Sequence, residues 1–252
     1  MPQPMISRSL KIIRKIQYTS NTFGLEFRYP GIQPVPGQFF QVQVDEGVDP
    51  FLNRPISVAS YKGSRLLLVV KVVGRGTRML SSKNPGDRIT LFGPFGKRTG
   101  FRKKRTLLVA GGIGIAPLHF LAEYLSNNKT PFDLLYGVRS KEDFILRKEV
   151  TRMADKSIYV AEHGLRKKET VISAIRRMSL DGYQSVYACG PRAMLIELQR
   201  LNLSLSVYAF CEDFLGCGCG LCLGCAIMYR GEYKRICVDG PILELGAIDF
   251  EV

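Results

Sequence analysis

The chain has 252 residues, 46% of them apolar and 23% charged, with seven cysteines and a net charge of +14. This excludes a disordered or fibrous chain and leaves room for two or three domains with real cores. No stretch approaches the roughly 18 apolar residues of a membrane span and the N-terminus lacks an apolar run of signal-peptide length, so a cytoplasmic protein without membrane attachment is expected.

From Arg8 to about Gly96 the sequence reads as six short β-runs, over 9–19, 22–29, 38–44, 55–60, 65–73 and 88–95. Pro30-Gly31, Pro36-Gly37, Lys62-Gly63 and Pro85-Gly86-Asp87 fall between runs, and no long helical period interrupts them. An antiparallel six-stranded Greek-key barrel over 1–100 is expected. Within it stand Arg54-Pro55-Ile56-Ser57 and, after the apolar run that carries Val70 and Lys71, Gly74-Arg75-Gly76-Thr77. A guanidinium fork, a hydroxyl and a second glycine turn suit a phosphate-bearing ligand; ordinary hairpin chemistry is the alternative. The run Lys97–Arg105 holds six basic residues in nine and reads as a solvated linker.

Beyond the linker, apolar runs alternate with segments of 3.6-residue period, which predicts a parallel α/β domain over 101–210. Its first strand-to-helix turn is Val109-Ala110-Gly111-Gly112-Ile113-Gly114-Ile115-Ala116-Pro117. Glycines there admit a pyrophosphate to the backbone, the helix start offers free N–H donors, and Pro117 suits the first helical position. A tight packing turn is the competing reading. A second turn, Cys189-Gly190-Pro191, ends a later strand of the same sheet, where ligands bind. Cys189 equally reads as a small buried hydrophobe. His119 and His163 have no carboxylate or cysteine at metal spacing and are expected to be structural; Met153, Met178 and Met194 fall on apolar helix faces and read as core.

The last segment, 211–252, is chemically distinct. Residues 206–252 hold three Lys/Arg against seven Asp/Glu, leaving about +18 on the rest. No aromatic-interleaved basic stripe accompanies that charge, so nucleotide cofactors are expected and nucleic acid is not. Cys217, Cys222, Cys225 and Cys237 follow the C-x4-C-x2-C…C spacing with which plant-type ferredoxins hold a [2Fe-2S] cluster. Gly216, Gly218, Gly220 and Gly224 allow the sharp turns that point N–H groups at sulfur. A zinc ribbon wants two separated C-x2-C pairs, and only one exists here. Cys211 and Cys219 are expected not to be ligands. Cysteines so crowded favour a reducing compartment.

Taken together, Arg54-Pro-Ile-Ser, Gly74-x-Gly-Thr, Gly93-Pro-Phe-Gly, Gly111-Gly-x-Gly-x-Ala-Pro and Cys189-Gly-Pro resemble the ferredoxin-NADP reductase superfamily over 8–210. The resemblance implies FAD held by the barrel through Arg54, Pro55, Ile56, Ser57, Val70, Lys71, Gly76 and Thr77. It implies NAD held by the α/β domain through Gly111, Gly112, Gly114, Pro117, Cys189 and Gly190. The tail, Cys217-Gly-x-Gly-x-Cys222-x-x-Cys225 then Arg235-Ile-Cys237-Val-Asp239-Gly240-Pro241, is similar to electron-transfer subunits of heteromeric dihydroorotate dehydrogenases. That likeness implies a [2Fe-2S] cluster on the four cysteines and an FMN-containing catalytic partner subunit, in a heterotetramer with two copies of each. It implies electrons passing from dihydroorotate, in pyrimidine biosynthesis, through the cluster and FAD to NAD. Cys219 departs from the family pattern. The rival reading is an NAD(P)H-dependent reductase serving a ferredoxin, an oxygenase, or a bifurcating or sulfide-linked complex; a redox sensor is a third, with no DNA-binding motif behind it. Arg139 suits a ribose 2′-phosphate while Glu142 and Asp143 would repel one, so NAD is expected over NADP.

Overall fold

The computed structural model describes residues 5–44, 47, 49–101 and 103–250. Arg102 of the basic run, and the outermost residues of the first and third expected domains, lie outside the described residues. The chain divides into two compact units, one built on 1–99 and the other on 100–211.

The first unit is the expected barrel. Strands β1 (Ser7–Thr19), β2 (Thr22–Arg28), β3 (Phe39–Val42), β4 (Arg54–Lys62) and β5 (Arg65–Lys71) are followed by helix α1 (Arg75–Ser82) and strand β6 (Arg88–Phe95). They close in the order β1-β2-β5-β4-β3-β6, with antiparallel pairing throughout. Closure removes the free sheet edges, and β6 alternates strictly between buried and more accessible residues, the period of two that a half-buried strand requires. Phe23, Leu25, Phe27, Phe40, Leu66, Leu68 and Phe95 form the core, and Tyr29 stands edge-on to Phe40 at 5.1 Å.

Helix α1 departs from the uninterrupted strand pattern. It begins at the segment read as turn chemistry, because Thr77 ties off the helix start. Its Oγ1 accepts from the N–H of Val73 at 2.9 Å and of Gly74 at 3.1 Å, and donates to the Gly74 carbonyl. Such reach-back bonds satisfy donors that a helix N-terminus otherwise leaves open.

In the second unit, β7 (Thr106–Gly111), α2 (Ile115–Asn127), β8 (Phe132–Ser140), α3 (Arg147–Thr151), β9 (Lys156–His163), α4 (Val171–Ile175), β10 (Ser185–Cys189), α5 (Arg192–Arg200) and β11 (Ser206–Phe210) follow in order. The cysteine-rich segment adds β12 (Ala226–Tyr229), β13 (Glu232–Arg235), α6 (Ile236–Asp239), β14 (Ile242–Glu244) and β15 (Ile248–Asp249). The main sheet runs β14-β11-β10-β7-β8-β9. Its pairs are parallel except for β14, which joins the edge antiparallel to β11. From β7 the chain builds outward through β8 and β9, then returns to the other side of β7 with β10. The order therefore reverses between β7 and β10, the switch point at which open α/β sheets bind ligands.

The C-terminal cysteine-rich segment forms the small sheet region expected for it, and its residues are shared between the two units. Residues 212–227 and 232–241 group with the barrel, and 228–231 and 242–252 with the α/β unit, although β13, β12 and β15 make a small sheet. Among the described residues no helix is long and apolar enough to cross a membrane.

Candidate cofactor and metal sites

Strand β4 opens at Arg54, opposite Val42, and brings Pro55, Ile56 and Ser57 opposite Gln41, Phe40 and Phe39. The Arg54 guanidinium donates to the Leu52 carbonyl at 2.5 Å and lies against Gly76. A Cβ added at Gly76 would stand 2.6 Å from Arg54 Cζ and Nη2. The fold thus joins the two barrel motifs at one place: a cation with a spare fork face beside the N–H groups of the first turn of α1, a donor set suited to a diphosphate. The Thr77 hydroxyl is engaged in capping α1, which fixes the residue at this place. Val70 is buried in the barrel, and the β4–β5 ladder reaches only Leu68, so Val70 and Lys71 extend past it.

In the α/β unit the glycine turn splits into two roles. Gly114 meets the end of β10: a Cβ there would stand 2.5 Å from the Cys189 carbonyl carbon and 2.8 Å from Gly190 N. Gly111 and Gly190 are crowded by Met194, and Gly111 also by Pro191. These three glycines let the two strand ends close together, as a packing turn would require. Gly112 is the open one, with φ +55° and nothing within 4 Å of a Cβ position. It leads directly toward α2, a 13-residue helix that begins at Ile115, so Pro117 holds its third position and not the expected first; the turn before the helix brings backbone N–H donors to the switch point. The Cys189 thiol is fully buried. At the end of β8 Asp143 accepts from Ser140 N at 3.3 Å and Glu142 accepts from Ser140 Oγ. That hydroxyl bond leads the causes that hold the Glu142 carboxyl below its usual range.

His119 is buried on α2, 4.0 Å from Glu123, and His163 pairs with Ser140 at the sheet edge. Met194 packs on the glycine turn.

The cysteine loop gathers its sulfurs in two pairs. Cys217 N–H donates to Cys222 Sγ at 3.5 Å, and the N–H groups of Leu221 and Cys222 donate to Cys217 Sγ at 3.3 and 3.4 Å. Cys225 and Cys237 lie Sγ to Sγ at 3.3 Å, with Ile236 N–H on the Cys225 carbonyl. Among the described residues no three His, Cys, Asp or Glu side chains converge to hold a single metal ion. A binuclear cluster asks for something else, two protein ligands on each iron, and two sulfur pairs match it. Burial works to raise the Cys217 thiol, but the surrounding N–H donors outweigh it and bring it down to about 6. The Cys237 thiol bond lowers Cys225 to about 6, and Cys237 is pushed up in turn. Ligation requires thiolates, and the backbone N–H donors around Cys217 favour that form there.

Gly218 and Gly220 adopt φ +73° and +91°, conformations glycine takes without strain. Arg235 Nη1 ties the Gly220 carbonyl at 3.1 Å, and Asp239 accepts from Arg235 N at 2.8 Å. Cys219 is buried, and burial, together with the neighbouring Cys217, pushes its thiol up. The Cys211 thiol rests 3.8 Å from the Ala209 carbonyl. Around the loop Phe214, at 92% exposure, Leu221, Leu223 and Tyr233 face solvent. Leu223, Ala226, Tyr233 and Arg235 line a cavity of about 510 Å³ there.

Barrel, switch-point sheet and paired cysteines define an iron–sulfur oxidoreductase of the ferredoxin-NADP reductase superfamily. Residues 108–200 match the family described as oxidoreductase NAD-binding domain, and 212–249 match the iron-sulfur cluster binding domain of dihydroorotate dehydrogenase B. The chain is 35% identical over 248 residues to the dihydroorotate dehydrogenase B (NAD(+)) electron transfer subunit of Desulforamulus reducens, covering 92% of this chain and 94% of that one. It is 33% identical to the subunit of the same name from Geobacillus thermodenitrificans, covering 84% and 86%. Among solved structures it is similar to the NADH-dependent reduced ferredoxin-NADP oxidoreductase studied for flavin-based electron bifurcation. There the TM-score is 0.88 at 26% identity, with 96% of this chain and 90% of that chain covered. The chain belongs to the family of dihydroorotate dehydrogenase B electron transfer subunits.

Proposed function

We propose that this chain carries electrons between an FMN-containing dihydroorotate dehydrogenase catalytic subunit and NAD, as half of a cytoplasmic heterotetramer with two copies of each subunit. The observation that carries the reading is the two-pair cysteine loop, lying within the segment that matches the cluster domain of dihydroorotate dehydrogenase B. Cys217 and Cys222 would hold one iron, Cys225 and Cys237 the other. FAD fits the barrel: Arg54 and the first turn of α1, opened by Gly76, would take its diphosphate, and Pro55, Ile56, Ser57, Val70 and Lys71 would border the rest. NAD would lie at the switch point on Gly112 and the start of α2, with Gly111, Gly114, Pro117, Cys189 and Gly190 shaping the crevice. When bound, the cluster supplies one-electron transfer and the flavin converts between single electrons and hydride. Glu142 and Asp143 at the end of β8 favour NAD over a 2′-phosphorylated dinucleotide.

The chain's motifs are absorbed by nucleotide and cluster sites, which leaves oxidation of the organic substrate to the partner. The exposed apolar rim of Phe214, Leu221, Leu223 and Tyr233 is the kind of surface a partner covers. A second reading, reductase subunit of a bifurcating complex, is favoured by the full-length likeness to the NADH-dependent oxidoreductase. Affinity purification from the native cell separates them: the first reading expects a stoichiometric FMN-bearing dihydroorotate dehydrogenase, the second a larger flavin and iron–sulfur subunit in its place.

A further inference from the structure

Gln41 sits in the middle of β3 and is only 1% exposed. Its Nε2 donates to the carbonyls of Leu215 and Gly216, both at 3.3 Å, across 174 and 175 residues of chain. Gly218 closes on the same side chain: a Cβ there would stand 2.7 Å from Gln41 Cγ. The cluster loop is thus held at two successive carbonyls and packed at a third residue by one barrel side chain. Gln41 also pairs with Pro55 in the β3–β4 ladder, two positions along from the Phe39–Ser57 pair. Directly paired residues share a face, as do residues two apart along a strand, so Gln41 stands on the face that carries Pro55 and Ser57.

The other end of the amide is unusual. Gln41 Oε1 is buried and has no hydrogen-bond partner among the described residues. Gln38, three residues earlier and equally buried, has both ends satisfied, by Val35 N at 3.0 Å and the Gly96 carbonyl at 2.9 Å. A side chain kept for packing alone would be better as methionine or leucine, since an unpaired buried acceptor is costly and rare. The donated bonds to the loop are the feature that an apolar side chain would lose.

We infer that Gln41 is a positioning residue that fixes the iron–sulfur loop onto the flavin-binding face of the barrel and thereby sets the cluster's redox potential. This rests on the proposed cofactor set. Potentials of such clusters respond to hydrogen bonding and exposure around the sulfurs. Moving Leu215 to Gly218 moves the N–H groups that follow in the loop.

The test is a potentiometric titration of the purified holoprotein, following the reduced cluster by electron paramagnetic resonance. Gln41→Met removes both ends of the amide, and Gln41→Glu keeps acceptors but removes the donors. Gly218→Ala pushes on Gln41 from the loop side and serves if the strand variants fail to fold. Each variant is expected to retain FAD and iron while the electron partition between flavin and cluster changes at least tenfold, about 59 mV for a one-electron couple, with altered g values. Wild-type g values and potential in the folded variants would overturn the inference, whatever happens to melting temperature. A wild-type protein lacking cluster or flavin would instead overturn the proposed function.

Discussion

Replacing Gly114 by alanine separates a glycine that packs from a glycine that admits a ligand. Gly114 has φ −58°, so alanine meets no backbone strain there. The obstacle is steric: the new Cβ would lie 2.5 Å from the Cys189 carbonyl carbon and 2.8 Å from Gly190 N, where ordinary contact begins at 3.4 Å. Both neighbours are backbone, the Cys189 carbonyl oxygen lies nearer still, and Cys189 is fixed by its ladder to Ala110, so the helix start or the β10 end must move to make room. Overpacking of this kind costs about 1–3 kcal/mol, which corresponds to a fall in melting temperature of roughly 2–12 °C for a chain this size. The displaced turn should also weaken NADH binding by about tenfold, or 1.4 kcal/mol. Gly112→Ala is the contrast: nothing surrounds its Cβ position, and the cost is the left-handed conformation, about 1–2 kcal/mol. If Gly112 faces the dinucleotide, its variant loses more NADH affinity than Gly114→Ala for less loss of stability. Calorimetry and NADH titration of the flavin signal measure both. A Gly114→Ala protein that melts and binds NADH like wild type would refute the packing argument, and the reverse ranking of affinities would refute the assignment of Gly112.

Serine at Cys217, Cys222, Cys225 or Cys237 should lower iron content and visible cluster absorbance, while serine at Cys211 or Cys219 should leave both; loss at Cys219 with retention at Cys217 would reverse the assignment. Arg54→Ala should lower FAD occupancy far more than NADH affinity, by the 1.5–3 kcal/mol of a charge-assisted bond, roughly 10- to 150-fold in binding; full flavin with weakened NADH binding would contradict it. In the cluster-free protein Cys217 and Cys225 fold with thiols near pH 6, below the ordinary thiol value. Between about pH 6 and 9 the unfolded chain therefore binds more protons, so stability should rise with pH across that window and fall away as pH drops through 6. Above it the raised Cys237 acts in the opposite sense, and thermal melts of the chelator-treated protein against pH, flattened by Cys217→Ser, check the sign.

The barrel was legible because its strands carry the period-two pattern and its breakers fall between them; all six runs lie where β1–β6 form. Helix α1 was not, since Gly74-Arg75-Gly76 reads as a turn and glycine disfavours helix; only the reach-back of Thr77 makes the start of a helix there. The edge strand β14 is three residues long, too short for any periodicity to register. The four cysteines proposed as ligands stood out by spacing, because a loop built to surround iron fixes local distances along the chain. Gln41 did not, for a glutamine in QFFQVQV reads as an ordinary alternating polar position, and its partners lie in the cysteine loop. Separations of that length leave no mark in a local pattern. The roles of Gly111 and Gly114 were half legible: the motif announced a close approach, and the fold shows that for these two it is an approach of protein to protein.

The central claim, that this chain passes electrons but leaves the organic substrate to a partner, is tested most directly by stopped-flow reduction of its flavin with dihydroorotate. The account predicts no reduction by dihydroorotate for the isolated holoprotein, rapid reduction once the FMN-containing subunit is added, and rapid reduction by NADH in either case. Fast reduction by dihydroorotate without the partner would contradict it.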